Sequence, residues 1–223
     1  MKVYKELLQQ SSEWYELKYG KVGGSTLANV MTNRNKPIRD NAIYTSLLAA
    51  RFEPYEYEEA FTSADMDRGN MYEPLACDEF ARVYNVELEQ YGWIEDDSGL
   101  YGLSPDRLFD SMKQAVECKC PSRDKHMGYI QNPIGMVEEY VWQVVDYFLN
   151  LPKLKKLHFI SYRPENTINP LLVQSVTTRT ALSISAKEKL PISDLVVLAK
   201  ARLIELEMAL SEDVAKYKQQ IEF

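Results

Sequence analysis

An aspartate and a Glu-Cys-Lys triplet lie close together in the middle of the chain, on two short segments with β-strand character. Asp106 lies on the first segment, Glu117 and Lys119 lie on the second, and residues 111–113 lie at the turn between them. Because side chains alternate faces along a strand, Glu117 and Lys119 point the same way, roughly 6.5 Å apart along the backbone. If the segments pair as a hairpin, Asp106 joins them. Hard divalent cations such as Mg²⁺ take carboxylate oxygens, and a lysine can orient or deprotonate a water, so the pattern predicts phosphodiester cleavage.

An ordinary hairpin with a charged, exposed face would show the same residue types. Two features favour the catalytic interpretation: Pro105 precedes the aspartate, and Glu117 and Lys119 interrupt a β-prone segment. A strand beside a core rarely carries charge unless the charge has a task. Cys118 and Cys120 point to the opposite face, where packing under the strand is favoured over a metal-binding pair of thiols.

Four blocks of sequence occur in the order found in one nuclease family. Pro105-Asp106 followed by Glu117-Cys118-Lys119 resembles the PD-(D/E)XK nuclease signature. The other blocks resemble the phage lambda exonuclease type, also called YqaJ-like viral recombinases. They are the opening block at 10–25, with Trp14, Lys18, Gly20, Val22 and Ser25; the middle block at 68–76, with Arg68, Gly69, Glu73, Pro74 and Ala76; and Tyr140-Val-Trp-Gln143.

The resemblance implies an α/β fold with a central mixed β-sheet flanked by helices, the PD-(D/E)XK nuclease core. It also implies a Mg²⁺-dependent exodeoxyribonuclease with two metal ions, for which Mn²⁺ would substitute. Asp106, Glu117 and the backbone carbonyl of Cys118 would be metal ligands, and Lys119 would position or activate the attacking water.

Two further residues of the blocks would act beside this centre. The resemblance implies that Glu73 is an accessory acid, either a metal ligand or a partner that holds Lys119. It implies that Gln143 touches the attacking water or the DNA backbone.

Three residues are candidates for DNA and 5′-phosphate contacts. Lys18 stands where the family motif has arginine, so a point charge replaces a guanidinium fork. Ser25 follows two glycines at a predicted helix start, where it could donate to a phosphate, cap the helix, or do both. Arg68 could contact a phosphate or pair with a local acid, and both interpretations remain open.

The resemblance further implies digestion of duplex ends from 5′ to 3′, which leaves a 3′ single strand for recombination. It implies a homotrimeric ring around double-stranded DNA and a companion single-strand annealing protein. Two other hypotheses remain: an endonuclease of restriction or repair type, and a DNA-end-binding module without catalysis.

Composition sets limits on the function. The chain has 223 residues, a net charge of -7, three cysteines and two histidines. Residues 53–110 carry sixteen acids against three bases, so DNA would have to bind in a positive channel inside an acidic surface. The sequence lacks the motifs of histidine-dependent nucleases, of zinc sites and of ATP-driven translocation, so these classes of function are excluded. The cysteine pattern predicts a reducing, cytosolic setting, and the resemblance implies that this is the cytoplasm of a bacterial host of a phage or prophage. No membrane span is predicted.

The coarse organisation is one nuclease domain over 1–223. Within it we expect an N-terminal helical block for DNA ends at about 10–50, a catalytic core at about 65–180 and a long helix at about 193–218. Expected helices lie at 12–19, 25–33, 40–50, 67–83 with Pro74 near the start, 137–149 and 193–217. Expected strands outside the hairpin lie at 88–94, 99–103, 157–162 and 171–176.

Overall fold

The computed structural model describes residues 1–56 and 64–221. In these ranges the α-helices are Ser12–Lys18 (α1), Gly24–Met31 (α2), Ala42–Ala49 (α3), Ala64–Tyr84 (α4), Arg123–Gln131 (α5), Pro133–Glu139 (α6), Val141–Asn150 (α7) and Ile192–Ile221 (α8). The strands are Lys2–Tyr4 (β1), Trp93–Glu95 (β2), Gly102–Leu103 (β3), Arg107–Phe109 (β4), Gln114–Lys119 (β5), Lys156–Tyr162 (β6), Leu171–Val176 (β7), Ala181–Ser185 (β8) and Glu188–Pro191 (β9). The predicted long C-terminal helix is therefore present as α8.

A four-stranded mixed sheet forms the centre of the molecule. Its strand order is β4-β5-β6-β7, in which β5 and β6 run parallel and the other two pairs run antiparallel. The parallel pair is connected through three helices, as a crossover between parallel strands requires. The predicted fold class, a central mixed sheet flanked by helices, is confirmed.

Helices cover both faces of this sheet, so β5 is buried on both sides. On one face, Ala115 of β5 and Phe159 of β6 pack in a large core together with α7. On the other face, Val116 and Cys118 pack in a smaller core that includes Phe80 of α4. Neighbouring positions of one strand therefore face two different helices.

A second, three-stranded sheet carries the N-terminal region. Its order is β1-β2-β3, with both pairs antiparallel. Trp14 of α1 is anchored to the chain beside β2 and β3, because its indole N–H donates to Gly92 O at 3.0 Å and to Ser104 Oγ at 2.9 Å. The N-terminal block is thereby fixed next to the segment that leads into Asp106.

Several predicted boundaries are wrong. The helix expected at 137–149 is two helices, α6 and α7, which meet at Tyr140 with φ -113° and ψ 30°. Pro74 lies in the interior of α4 rather than near its start, so the helix continues past a residue that cannot donate its backbone hydrogen bond. The strand expected at 88–94 is reduced to β2 and an isolated bridge between Glu89 and Leu108.

The acidic segment at 53–59 lies partly outside the described residues. Within the described part, α5 and the β8–β9 hairpin were not predicted. None of the described helices combines the length and apolar character needed to cross a membrane.

Candidate active site

The β4–β5 hairpin brings the predicted acids together through its register. Arg107 pairs with Val116, so the next position along each strand places Asp106 opposite Glu117. Asp106 Oδ2 accepts a hydrogen bond of 2.6 Å from the backbone amide of Cys118. The turn uses positive φ angles at 110–112, which agrees with the predicted tip of the hairpin.

Glu117 is the buried centre of the site, with 2 % of its side chain exposed. Its Oε1 accepts hydrogen bonds from Lys119 Nζ and Gln143 Nε2, both at 2.6 Å. Its Oε2 accepts a hydrogen bond of 2.6 Å from the Tyr147 hydroxyl. Lys119 Nζ also donates to Gln143 Oε1 at 2.9 Å. A carboxylate can be buried only when it is paired and hydrogen-bonded, and these three donors meet that condition.

Tyr147 is a functional candidate that the sequence interpretation missed. It is fully buried on α7, and besides donating to Glu117 it accepts a hydrogen bond of 3.1 Å from the backbone amide of Asp106. Tyr147 follows Gln143 by four residues, so both side chains project from the same face of the helix. The spacing of four residues from Gln143 was the signal in the sequence that could have identified Tyr147 as a site residue. A tyrosine among buried valines also fits simple core packing.

Glu73 reaches the edge of this network from α4. Its direct ionic partner is Arg107, with 3.8 Å between Glu73 Oε1 and Arg107 Nη1. The direct hydrogen-bond partners of Lys119 are Glu117 and Gln143. Glu73 is therefore held by an arginine that the sequence interpretation did not single out.

The electrostatics of the site show a surplus of negative charge. Burial raises the pKa of Asp106, and the neighbouring Glu117 and Glu73 carboxylates raise it further. Burial and then Glu117 also raise the pKa of Glu73, although Arg107 opposes them. Burial lowers the pKa of Lys119, but Glu117 and Asp106 outweigh burial and the pKa is raised. Glu117 thus disfavours charge on both Asp106 and Glu73, and a divalent cation would relieve this repulsion.

The donor set fits a magnesium ion held mainly by this hairpin. Mg²⁺ is usually bound by one or two carboxylates and keeps several waters. Asp106 and Glu117 supply two carboxylates, and no described residue donates a hydrogen bond to Asp106 Oδ1. The amide and carbonyl of a strand residue point to the same edge, so the Cys118 carbonyl faces the Asp106 side. Among residues 1–56 and 64–221, no three His, Cys, Asp or Glu side chains form a ready metal-binding group.

Comparison with known proteins places this site in a family. Residues 13–149, more than half of the chain, match the family model of the YqaJ-like viral recombinase domain. The chain belongs to the YqaJ-like viral recombinase family. No curated protein matches it.

Solved structures share the fold of this YqaJ-like chain. The alkaline exonuclease LHK-Exo from Laribacter hongkongensis, alone and in complex with dAMP, is 22 % identical with a TM-score of 0.68; the match covers 94 % of this chain and 100 % of that chain. A phage-related exonuclease from Haemophilus somnus 129PT is 11 % identical with a TM-score of 0.61, over 88 % of this chain and 96 % of that chain. The family and the fold together support a nuclease.

Lys18 lies in an aromatic pocket of the YqaJ-like domain. Its Nζ lies 3.5 Å from the centroid of the Trp14 ring and 5.4 Å from that of Trp93. Burial lowers the pKa of Lys18 to about 8, although Asp146 acts to raise it. Asp146 is fully buried, and its Oδ2 has no hydrogen-bond partner among the described residues. A cation and a carboxylate therefore face this pocket without a direct ion pair.

The helix after Lys18 starts beside Gln143. A Cβ on Gly24 would lie 3.2 Å from Gln143 Cγ and 3.3 Å from Asp146 Oδ2, so a side chain at this position would require these groups of α7 to shift. Ser25 is exposed in the first turn of α2. The prediction that Ser25 caps this helix is wrong: the cap is Gly23, whose amide donates to Thr26 Oγ1 at 2.8 Å.

Arg68 pairs with a local acid, one of the two interpretations that the sequence left open. Its Nη2 donates to Glu165 Oε2 at 3.2 Å, and its Nε donates to the carbonyl of Pro121 at 3.3 Å.

Cys118 and Cys120 are buried under β5 as predicted, and Cys118 Sγ lies 3.3 Å from Cys77 Sγ. His158 is also buried, with 6 % of its surface exposed.

Proposed function

We propose that this chain is a Mg²⁺-dependent exodeoxyribonuclease that digests linear double-stranded DNA from the 5′ ends and leaves 3′ single strands. The observation that carries the proposal is the network in which Lys119 and Gln143 meet on Glu117 Oε1, with Asp106 opposite. LHK-Exo, which shares the fold, has been solved with dAMP. A mononucleotide is the product that stepwise digestion of a DNA strand would release.

The positions of the residues support one role for each in this proposal. Asp106, Glu117 and the carbonyl of Cys118 would hold the metal, which would polarise the phosphodiester and offset charge on the leaving 3′-oxygen. Lys119 is held at a fixed position by Glu117 and Gln143, so its ammonium can orient the attacking water toward phosphorus. Tyr147 would keep the Glu117 carboxylate in place, because it occupies Oε2 and leaves Oε1 facing Lys119.

The 5′ end would be recognised in the pocket beside Gln143. Lys18 supplies a cation there, and Gly24, the first residue of α2, lies beside Gln143 and Asp146 of α7, with Ser25 next to it in the exposed first turn. A helix N-terminus with a nearby cation suits a terminal phosphate. Because Lys18 replaces the arginine of the family motif, the phosphate would meet a point charge instead of a guanidinium fork.

Family likeness alone supports three further parts of the proposal. They are a homotrimeric ring around the duplex, a companion protein that anneals the exposed strand, and action in the cytoplasm of a phage-infected bacterium. Measurement of the mass in solution, with and without DNA, tests the ring; a chain that stays monomeric under both conditions contradicts it.

The central experiment follows linear duplex DNA labelled separately at each 5′ and each 3′ end. With Mg²⁺ we expect early loss of the 5′ labels, no loss with a chelator, and survival of covalently closed circular DNA. Lys119→Ala should abolish digestion. Lys113→Ala is the matched control, because Lys113 belongs to the same hairpin but lies at its exposed turn, 3.8 Å from Asp110.

Each alternative gives a different result. Cleavage of circular DNA would refute the exonuclease hypothesis and support an endonuclease of restriction or repair type. Early loss of 3′ labels would reverse the proposed polarity. Duplex binding without any digestion would support the non-catalytic end-binding module, and digestion by Lys119→Ala at the wild-type rate would refute the site.

A further inference from the structure

Two arginines and a tyrosine converge on one carboxylate beside the catalytic strand. Glu165 accepts from Arg68 Nη2 at 3.2 Å through Oε2 and from the Tyr72 hydroxyl at 3.2 Å through Oε1. Arg163 Nε lies 3.7 Å from Glu165 Oε2. The Arg68 guanidinium also stacks on the Tyr72 ring, 4.5 Å from its centroid. These three donors form an anion site, which in this structure is filled by a side chain of the protein itself.

The backbone fixes this anion site in place. The carbonyl of Pro121 accepts hydrogen bonds from Arg68 Nε at 3.3 Å and from Arg163 Nη1 at 3.4 Å. Pro121 follows Lys119 by two residues, roughly 6.5 Å along an extended chain. A DNA strand with its scissile phosphate at Lys119 would therefore pass the two arginines within a few nucleotides.

The members of the cluster differ in burial and charge. The Arg68 and Arg163 side chains are 21 % and 18 % exposed, whereas Glu165 is 48 % exposed. Glu165 is therefore more exposed to solvent than either arginine side chain. Two guanidinium groups face one carboxylate, and an exposed ion pair contributes little to stability. An incoming phosphate, which also accepts forked hydrogen bonds from arginine, can thus replace the carboxylate at small cost.

We propose that Arg68, Arg163 and Tyr72 form a binding site for a backbone phosphate of DNA, and that Glu165 occupies this site until DNA displaces it. The inference rests on the proposed function, since it assumes a strand that runs across the catalytic hairpin. It unites the two interpretations of Arg68, which pairs with an acid in the free chain and contacts a phosphate in the complex.

The test measures binding of a fluorescent blunt duplex by anisotropy, in chelator, over a range of salt concentrations. Glu165→Gln should bind more tightly than the wild type, because the site no longer carries its own anion. Arg163→Gln should bind about tenfold more weakly, the effect of one lost charged hydrogen bond. It should also reduce the slope of log affinity against log salt by about 0.9, the value for one phosphate contact.

Two controls separate a specific site from a change in net charge. Glu79→Gln removes one negative charge, as Glu165→Gln does, but from α4. It frees Arg82, whose side chain is 71 % exposed and pairs with Glu79 at 2.7 Å. The affinity of this variant for DNA should equal that of the wild type. In a chain that already carries Arg68→Gln and Arg163→Gln, Glu165→Gln should give no gain.

The outcomes are distinguishable from a failure of the proposed function. If wild type digests duplex ends but Glu165→Gln binds no more tightly than Glu79→Gln, the phosphate site is refuted and the nuclease stands. If Glu165→Gln strengthens binding equally with and without the two arginines, the effect is general repulsion and the site is again refuted. A wild-type chain that neither binds nor digests the duplex overturns both.

Discussion

The two faces of strand β5 carry opposite kinds of chemistry. Toward α7, Glu117 and Lys119 form a charged network in which every carboxylate oxygen of Glu117 has a donor. Toward α4, Cys118 and Cys120 pack in an apolar core that contains Phe80. Because successive side chains of a strand point to opposite faces, adjacent residues of β5 belong either to the charged network or to the apolar core.

The contrast shows what holds a reactive group in place. Glu117 is positioned by hydrogen bonds from three side chains, so its orientation depends on Lys119, Gln143 and Tyr147 together. The thiols are positioned by packing, and burial raises the pKa of Cys118, which keeps it a protonated thiol and a poor metal ligand. Substitutions on the charged face should therefore change activity, and those on the thiol face should change stability.

Glu117→Gln is expected to have the largest effect on activity. Glutamine keeps the volume of the side chain but removes the charge that would bind the metal. Activity should fall by more than the roughly 100-fold that outer partners of metal ligands contribute. The digestion rate of end-labelled duplex measures this loss, and the melting temperature checks that the chain remains folded.

A matched control for Glu117→Gln exists in the same molecule. Glu139 also receives a tyrosine hydroxyl, from Tyr129 at 2.7 Å, and a lysine, with Lys125 Nζ at 2.6 Å, but it does not face Asp106. Glu139→Gln should leave digestion nearly unchanged. If both substitutions reduce digestion equally, the special role of the β5 network is contradicted.

The sequence predicted this charged face well because its elements are local. Asp106, Glu117 and Lys119 lie on one hairpin, so strand alternation and a short turn were enough to bring them together. Gln143 came from family resemblance. Tyr147 and Arg107 were missed, because their roles depend on how α7 and α4 pack on the sheet.

The fold was predicted less evenly for the same physical reason. The strand at 171–176 and the long α8 helix have strong local patterns and were predicted closely. The break between α6 and α7 at Tyr140 was missed, because neither a proline nor a glycine marks it in the sequence. The helix start at Gly24 was assigned to Ser25, because the close contact with α7 cannot be read from local sequence.

Tyr147→Phe is expected to have an intermediate effect. Its hydroxyl links Glu117 Oε2 with the amide of Asp106, so its loss leaves two buried polar groups without their partner. Unfolding free energy should fall by about 1–3 kcal/mol, and activity should fall about 10- to 100-fold, the usual effect of an outer partner of a metal ligand. Thermal unfolding and digestion as a function of Mg²⁺ concentration measure the two effects.

Tyr129→Phe is the control for that substitution. It also removes a tyrosine hydroxyl bound to a carboxylate, but at Glu139, outside the charged network. A similar loss of activity in both variants would mean that the hydroxyl of Tyr147 has no special part in the site.

Cys118→Ala should have the smallest effect on activity, although it lies between Glu117 and Lys119. Alanine retains the backbone amide that Asp106 binds and the carbonyl proposed as a metal ligand, while it removes the Sγ that contacts Cys77. We therefore expect unchanged digestion and a loss of about 1 kcal/mol in unfolding free energy. A large fall in activity at unchanged stability would show that the thiol itself takes part in the site, and the separation between the two faces of β5 would no longer hold.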